Sequence, residues 1–280
     1  MPPSASTSWT PTSSPRLPRA DGGLPPARWA WLGRVHHDDA LALQERLRAG
    51  LARGAHRAPD ENAAPRAPGE AVETLLLCEH HPVITLGRST RPEHLLATEE
   101  ELRARGVDLR PVSRGGSATY HGPGQLVGYP VFRVRSPGPV GSPARRHGVV
   151  GHVEGMAEAV VALLTSLGLS ARFRRDHPGV WVRTAAGEAK ICALGVHVGH
   201  RVAIHGLALN VSCDLDAFSA IVPCGLAGAD GAVTSLTALG VRAPPLAELA
   251  EALAAAIARV FSLDMRAATS STLQIPSAAL

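Results

Sequence analysis

The sequence predicts an α+β domain with a mixed central sheet flanked by helices, and three observations carry that expectation. Strand-like and helix-like segments alternate without the regular β-α rhythm of a doubly wound parallel sheet. The second half holds three apolar strand segments joined by turn residues, Ala186-Gly187 and Gly199-His200, which read as hairpins. The chain has 280 residues and is 45% hydrophobic, enough for one large core.

Residues 28–35 read as a strand, with Trp29, Trp31 and Val35 at even spacing. Asp38 or Asp39 can N-cap a helix carrying Leu41, Leu43, Leu47 and Leu51. Residues 54–70 are rich in Ala and Pro without periodicity, as in a mobile surface loop. Strands are expected at 73–78 and 83–86, on either side of His80, His81 and Pro82. Thr98 and Glu101 form a capping-box pattern for a short helix ending at Gly106. A strand is expected at 107–112, a Gly-rich segment at 114–128, a strand near 125–134, and a Pro/Gly-rich loop at 136–142. Helical spacing runs over 149–167 and stops at Gly168. Strands follow at 180–183, 190–198 and 201–211, and a helix at 246–261 begins after Pro244 and Pro245.

Composition narrows the class. Residues 1–27 are rich in Ser, Thr and Pro and lack an apolar h-region, so they read as a disordered tail rather than a signal peptide or anchor. No uninterrupted apolar stretch reaches the ~18 residues of a membrane span. A net charge of +4 with scattered Arg residues fits an ordinary surface, not nucleic-acid binding, and would suit an acidic protein partner. The four cysteines, at 78, 192, 213 and 224, show no C-x-x-C spacing and fit a reduced, cytoplasmic protein.

Four segments could carry chemistry. Arg114-Gly115-Gly116-Ser117-Ala118-Thr119-Tyr120-His121-Gly122-Pro123-Gly124 combines glycines, which let backbone approach a ligand, with polar side chains. It matches neither a P-loop nor a dinucleotide fingerprint. Lys190, opening the strand Lys190-Ile191-Cys192-Ala193-Leu194-Gly195, reads first as a surface residue snorkelling at a strand end; turned into a pocket, it could exchange protons. His205, in His205-Gly206-Leu207-Ala208, reads as a core histidine or a pocket residue, and Gly206 hints at a bulge or a close backbone approach. Cys224 sits between Pro223 and Gly225, in a turn suited to presenting a nucleophile, whereas Cys78, Cys192 and Cys213 lie in apolar or strand contexts. His36-His37 and His80-His81 are adjacent pairs that on a strand would face opposite ways, so no metal site is expected.

Taken together, R-G-G-S-A-T-Y-H-G-P-G-Q-L-V-G-Y-P, G-V-W-V, K-I-C-A-L-G-V-H-V, H-G-L-A-L-N-V, D-L-x-x-F, I-V-P-C-G and V-T-S-L resemble, in order and spacing, the lipoyl/octanoyl transferases of lipoate biosynthesis, the lipoate-protein ligase B family. The resemblance spans roughly residues 29–261 and implies the fold of biotin and lipoate protein ligases within a catalytic domain at 28–266, followed by a tail at 267–280. It implies that Cys224 is the acyl-thioester nucleophile and that Lys190, 34 residues earlier, lowers its thiol pKa. Arg114, Gly115, Gly116, Ser117, Ala118, Thr119, Tyr120 and His121 fall on the family's substrate-contacting segments, as do Ala193, Leu194, Gly195, Gly206, Leu207 and Ala208. Ser117 departs from a position that is often acidic. The implied donor is octanoyl-acyl carrier protein. The implied acceptors are lipoyl domains of 2-oxoacid dehydrogenase E2 subunits and the glycine cleavage H protein, with no ATP, metal, nucleic acid or membrane involved. An ATP-dependent lipoate-protein ligase would share the fold but would need a phosphate site and no nucleophilic Cys. A non-catalytic lipoyl-domain binding module would be expected to lack Lys190 or Cys224.

Overall fold

The computed structural model describes residues 24–54, 71–135, 148–222, 232–269 and Leu273. The expected loop at 136–142, the expected turn at Cys224, and most of both expected tails lie outside the described residues, as does the loop expected at 54–70 except Gly54, which closes the helix that begins at His37.

Eight strands form the main sheet, in the order β11-β1-β2-β6-β10-β9-β8-β7. They are β1 (Pro26–Val35), β2 (Glu73–His80), β6 (Gln125–Val131), β7 (Ala171–Arg174), β8 (Gly179–Thr184), β9 (Gly187–Gly199), β10 (Val202–Asn210) and β11 (Asp264–Ala267). β1 pairs in parallel with β2 and β11, while every other neighbour in this sheet is antiparallel. The sheet is therefore mixed, as expected. A second sheet sets β3 (Val83–Leu86) between β4 (Asp108–Pro111) and β5 (Ala118–His121).

Helices cover both faces of the main sheet. α3 (Gly148–Ser166) and α4 (Leu246–Phe261) pack Met156, Val160, Leu164, Leu249, Leu253 and Ile257 into one core with Leu207, Leu209 and Ile191. α1 (His37–Gly54) covers the other face, where Ala40 and Leu43 meet Leu76, Val127 and Ala208. Coverage on both sides explains why all nine residues of β10 are buried and read as an apolar run rather than an alternation. α3 is long and apolar enough to cross a membrane, but half of its apolar window is buried and it packs as a core helix of this domain.

Local signals mostly act where the sequence places them. In α2 (Glu99–Ala104), Thr98 N–H donates to Glu101 Oε2 at 2.8 Å and Glu101 N–H to Thr98 Oγ1 at 3.2 Å, completing the capping box. The β9–β10 hairpin turns at His200 and Arg201, one residue later than expected because Gly199 still pairs with Val202; their φ of 50° and 61° is the double positive φ of a type I′ turn. The β8–β9 turn is Ala185-Ala186, one residue earlier than expected, because Gly187 already pairs with Thr184. Asp38 and Asp39 lie inside the first turn of α1, where their charge favours the helix N-terminus, rather than at its cap. Strand β1 begins at Pro26, two residues before the expected start, and β11 is a strand that local pattern did not show.

Candidate active site

Lys190 is buried, only 5% exposed, so it does not snorkel at the surface. A register shift between β8 and β9 puts Val180 opposite Cys192 and Trp181 opposite Lys190, leaving Ile191 as an extra residue. The Lys190 side chain runs past Gly179, where a Cβ would lie 2.9 Å from its Cε. Its Nζ donates to the Pro178 carbonyl at 3.3 Å and sits 5.0 Å from the Trp181 ring centroid. The Lys190 backbone pairs in parallel with residues 232–234, which follow Cys224 in the chain: its N–H donates to Ala232 O at 2.9 Å and its carbonyl accepts from Thr234 N–H at 3.0 Å. The chain before Cys224 is also held, by a bridge between Leu95 and Ile221 and by Val222 N–H donating to His94 O at 2.9 Å.

The Gly-rich segment folds as a loop braced from within. The Arg114 guanidinium donates to Ser117 O at 2.7 Å, Thr85 O at 2.8 Å and Thr85 Oγ1 at 2.7 Å. Gly115 N–H donates to Val196 O at 3.0 Å, tying the loop to β9. Gly116 has a φ of +87°, and a Cβ on Gly87 would fall 2.3 Å from the Gly116 carbonyl, so both positions need glycine. Ser117 Oγ lies 2.6 Å from Nδ1 of His94, the residue whose carbonyl accepts from Val222 N–H, so the loop is linked to the chain shortly before Cys224.

Between this loop, β9, β10 and α3 lies a cavity of about 670 Å³. Its walls are largely apolar, with Val127, Val153, Phe173, Leu194 and Leu207 facing in, and Lys190 is its buried cation. Gly206 is needed for a close approach between strands, since a Cβ there would lie 2.1 Å from Gly128 O. The preceding His205 carries a positive φ of 58°, an uncommon conformation for a residue with a Cβ, and its N–H donates to Gln44 Oε1 at 2.7 Å. Cys78, Cys192 and Cys213 are all buried free thiols. Burial pushes Cys192 and Cys213 up to about 12 and Cys78 well above the usual thiol range.

Several imidazoles near the cavity are held neutral. Burial lowers His205 to about 3 and His80 to about 4, and buried His152, on α3, also falls to about 4. The ordinary histidine value is 6.5, so the unfolded chain binds protons that the native one refuses. Stability is therefore expected to be full above that value and to fall as pH drops from about 6.5 towards 4.5, before carboxylates contribute. Thermal melts at steps across this range check it; a constant Tm would mean that these imidazoles charge without cost in the native protein.

A family model described as the lipoyl protein ligase A/B catalytic domain matches residues 40–258. The chain belongs to this family. Among the relatives of the lipoyl protein ligase A/B family, an octanoyltransferase of Chloroflexus aurantiacus is 47% identical over 239 residues, covering 84% of this chain and 94% of its own length. One from Solibacter usitatus is 42% identical over 234 residues, covering 84% and 92%. Of solved structures, a bi-partite lipoate protein ligase from Thermoplasma acidophilum has a TM-score of 0.61 at 20% identity, covering 89% of this chain and 90% of that one. A lipoate-protein ligase A bound with ATP has the same TM-score at 19% identity, covering 89% and 92%. These two share the fold of this chain.

Within this ligase-family fold, the sequence motifs converge with one exception. Arg114, Gly115, Gly116, Ser117, Ala118, Thr119 and His121 all line the cavity, as do Lys190, Ala193, Leu194, Gly195, His205, Gly206, Leu207 and Ala208. Tyr120 does not. Side chains alternate along β5, so Tyr120 turns away from His121 and packs edge-on against Phe218, 5.5 Å between centroids, in a separate apolar cluster. Burial raises its hydroxyl to about 12. Cys224 lies outside the described residues.

The sequence reading missed His37, Thr85 and Tyr129, which also line the cavity. His36 and His37 are not on a strand: β1 ends at Val35 and α1 begins at His37, which turns the His37 ring inward. Tyr129 hydroxyl donates to His80 Nε2 at 2.7 Å, and His80 Nδ1–H donates to Val35 O at 3.0 Å. Among the described residues no group of three or more His, Cys, Asp or Glu is placed to hold a metal ion.

Proposed function

We propose that this protein is an octanoyltransferase that moves an octanoyl group from octanoyl-acyl carrier protein, through a Cys224 thioester, to the lysine of a lipoyl domain. The observation that carries the chemical reading is Lys190: a buried cation on an apolar cavity, its backbone paired to Val233, nine residues after Cys224 in the chain. The sustained identity to octanoyltransferases over more than four-fifths of the chain supports the same reading.

The chemistry follows from the residues. The Lys190 ammonium favours the Cys224 thiolate, which attacks the donor thioester carbonyl. The carbon–sulfur bond to the carrier breaks, and the carrier thiolate takes a proton from the Lys190 ammonium, which leaves Lys190 a neutral amine. The acceptor lysine amine then attacks the Cys224 thioester, gives a proton to the site base Lys190, and expels the Cys224 thiolate. The donor thioester supplies the driving force, so neither ATP nor a metal enters the balance. Leu194 and Leu207 would line the acyl chain. Acceptors in this reading are the lipoyl domains of 2-oxoacid dehydrogenase E2 subunits and the glycine cleavage H protein. The buried free thiols fit a reducing cytoplasm.

Intact-mass measurement after mixing the protein with octanoyl-acyl carrier protein, without ATP, tests the reading. One added octanoyl group is expected, discharged on addition of a lipoyl domain. An unmodified enzyme that lipoylates the domain only with free acid and ATP would make it a ligase instead.

A further inference from the structure

A buried polar network runs from the cavity wall across β5, β6 and β10 to the strand that holds Lys190. Its side chains are His121, Gln125 and Asn210, which are 7%, 1% and 4% exposed. Asn210 Nδ2 donates to Thr234 O at 3.0 Å, and a carbonyl can only accept. That turns Asn210 Oδ1 towards Gln125, whose Nε2 donates to it at 2.9 Å and to Tyr120 O at 3.1 Å. Both Nε2 protons are then used, so it is Gln125 Oε1 that meets His121 Nδ1, at 2.7 Å. An amide oxygen has no proton to give. His121 Nδ1 must therefore carry the proton and donate it.

The other ring nitrogen then carries no proton. His121 is neutral, held there by burial and by the neighbouring His80 and Arg114. Its Nε2 has one contact among the described hydrogen bonds, Thr85 Oγ1 at 3.4 Å, longer than an ordinary hydrogen bond. His121 and Thr85 both line the cavity.

We propose that Gln125 and Asn210 are positioning residues that lock His121 in its Nδ1–H form, so that the cavity offers an acceptor, and not a donor, to an N–H group of a substrate. Two substrates of the octanoyl-transfer reading, on which this rests, bring such a group: the amides of the carrier's pantetheine arm and the amine of the acceptor lysine. The same network ends on Thr234, whose N–H donates to the Lys190 carbonyl at 3.0 Å, so it also ties the acceptor to the strand bearing the cation.

Nitrogen-15 NMR of histidine-labelled protein near neutral pH tests the assignment directly, with the His121 signal identified by its loss in His121→Leu. A protonated Nδ1 and a bare Nε2 are expected; an Nε2–H form or an imidazolium would overturn the proposal. Gln125→Met removes the acceptor for Nδ1–H and should populate the Nε2–H form. It should raise KM by about tenfold in one half-reaction, the size of one lost hydrogen bond. A rise for the carrier substrate identifies the pantetheine amide, and a rise for the lipoyl domain identifies the lysine amine. Should Gln125→Met not fold, His121→Gln can still place an amide oxygen near the Nε2 position. It should keep KM within about threefold, whereas His121→Leu raises it about tenfold. Equal KM values for these two variants would sink the proposal. Failure of wild-type protein to transfer octanoyl groups would reject the functional reading and leave the tautomer result standing, because the spectrum needs no turnover.

Discussion

Replacing Cys224 with serine is expected to abolish the acyl-enzyme and reduce octanoyl transfer by on the order of a thousandfold or more. An alcohol stays protonated where a thiol can ionise, and a serine ester would discharge poorly to an amine. The other three cysteines supply the controls. Cys78, Cys192 and Cys213 are buried, and burial raises all three thiols far above neutral pH, so none can act as the thiolate. Cys78→Ser, Cys192→Ser and Cys213→Ser should each still acquire one octanoyl group by intact mass. Their cost is in stability, about 1–3 kcal/mol for placing a hydroxyl in an apolar site. Cys192→Ser is the demanding case, because Cys192 follows Lys190 by two residues on β9 and its Sγ lies 3.5 Å from Ala193 O. Loss of labelling in well-folded Cys192→Ser would move the nucleophile from Cys224 to Cys192.

The site was legible in the sequence where backbone requirements leave a mark. Gly116 has a positive φ, and Gly206 sits where two strands approach too closely for any Cβ. Those glycines, and the blocks around them, mark the cavity wall. Tyr120 was misplaced because a Gly-rich segment looks like loop, whereas residues 118–121 form a strand whose alternation sends Tyr120 and His121 to opposite sides. Lys190 was ambiguous for a related reason. Its burial depends on a one-residue register shift against β8, and no local pattern reports a register. The mixed sheet was expected, but the parallel pairing of β1 with β11 joins residues more than two hundred positions apart, which periodicity cannot show. His37 and Tyr129 were invisible as site residues because they converge only when α1 and β6 pack on the same cavity.

Lys190→Ala should raise the Cys224 thiol pKa and slow turnover by on the order of a hundredfold. Removing a nearby opposite charge shifts a thiol by about one unit or more, and loss of a general base costs a similar factor in the transfer step. Sign matters here. In the proposed mechanism the ammonium stabilises the thiolate, so wild-type Cys224 should titrate below the ordinary value of about 8.5 and the variant nearer to it. The pH profile of iodoacetamide alkylation reads this directly, with the three buried thiols protected by the fold. Lys190→Arg separates the two roles. It keeps the charge but cannot pass a proton near neutral pH, so it should restore acylation more than transfer to the lipoyl domain. The surroundings favour a cation in that place. The Trp181 ring centroid lies 5.0 Å from Lys190 Nζ, and the Pro178 carbonyl accepts from Lys190 at 3.3 Å. The space beside Gly179 supplies an independent check. A methyl there would press on Lys190 Cε and Cδ and on the Cys192 carbonyl, so Gly179→Ala should displace the ammonium and shift the alkylation profile the same way without removing the charge. If Lys190→Ala leaves the profile and both half-reactions at wild-type values, Lys190 is a structural cation packed against Trp181 and the base lies elsewhere.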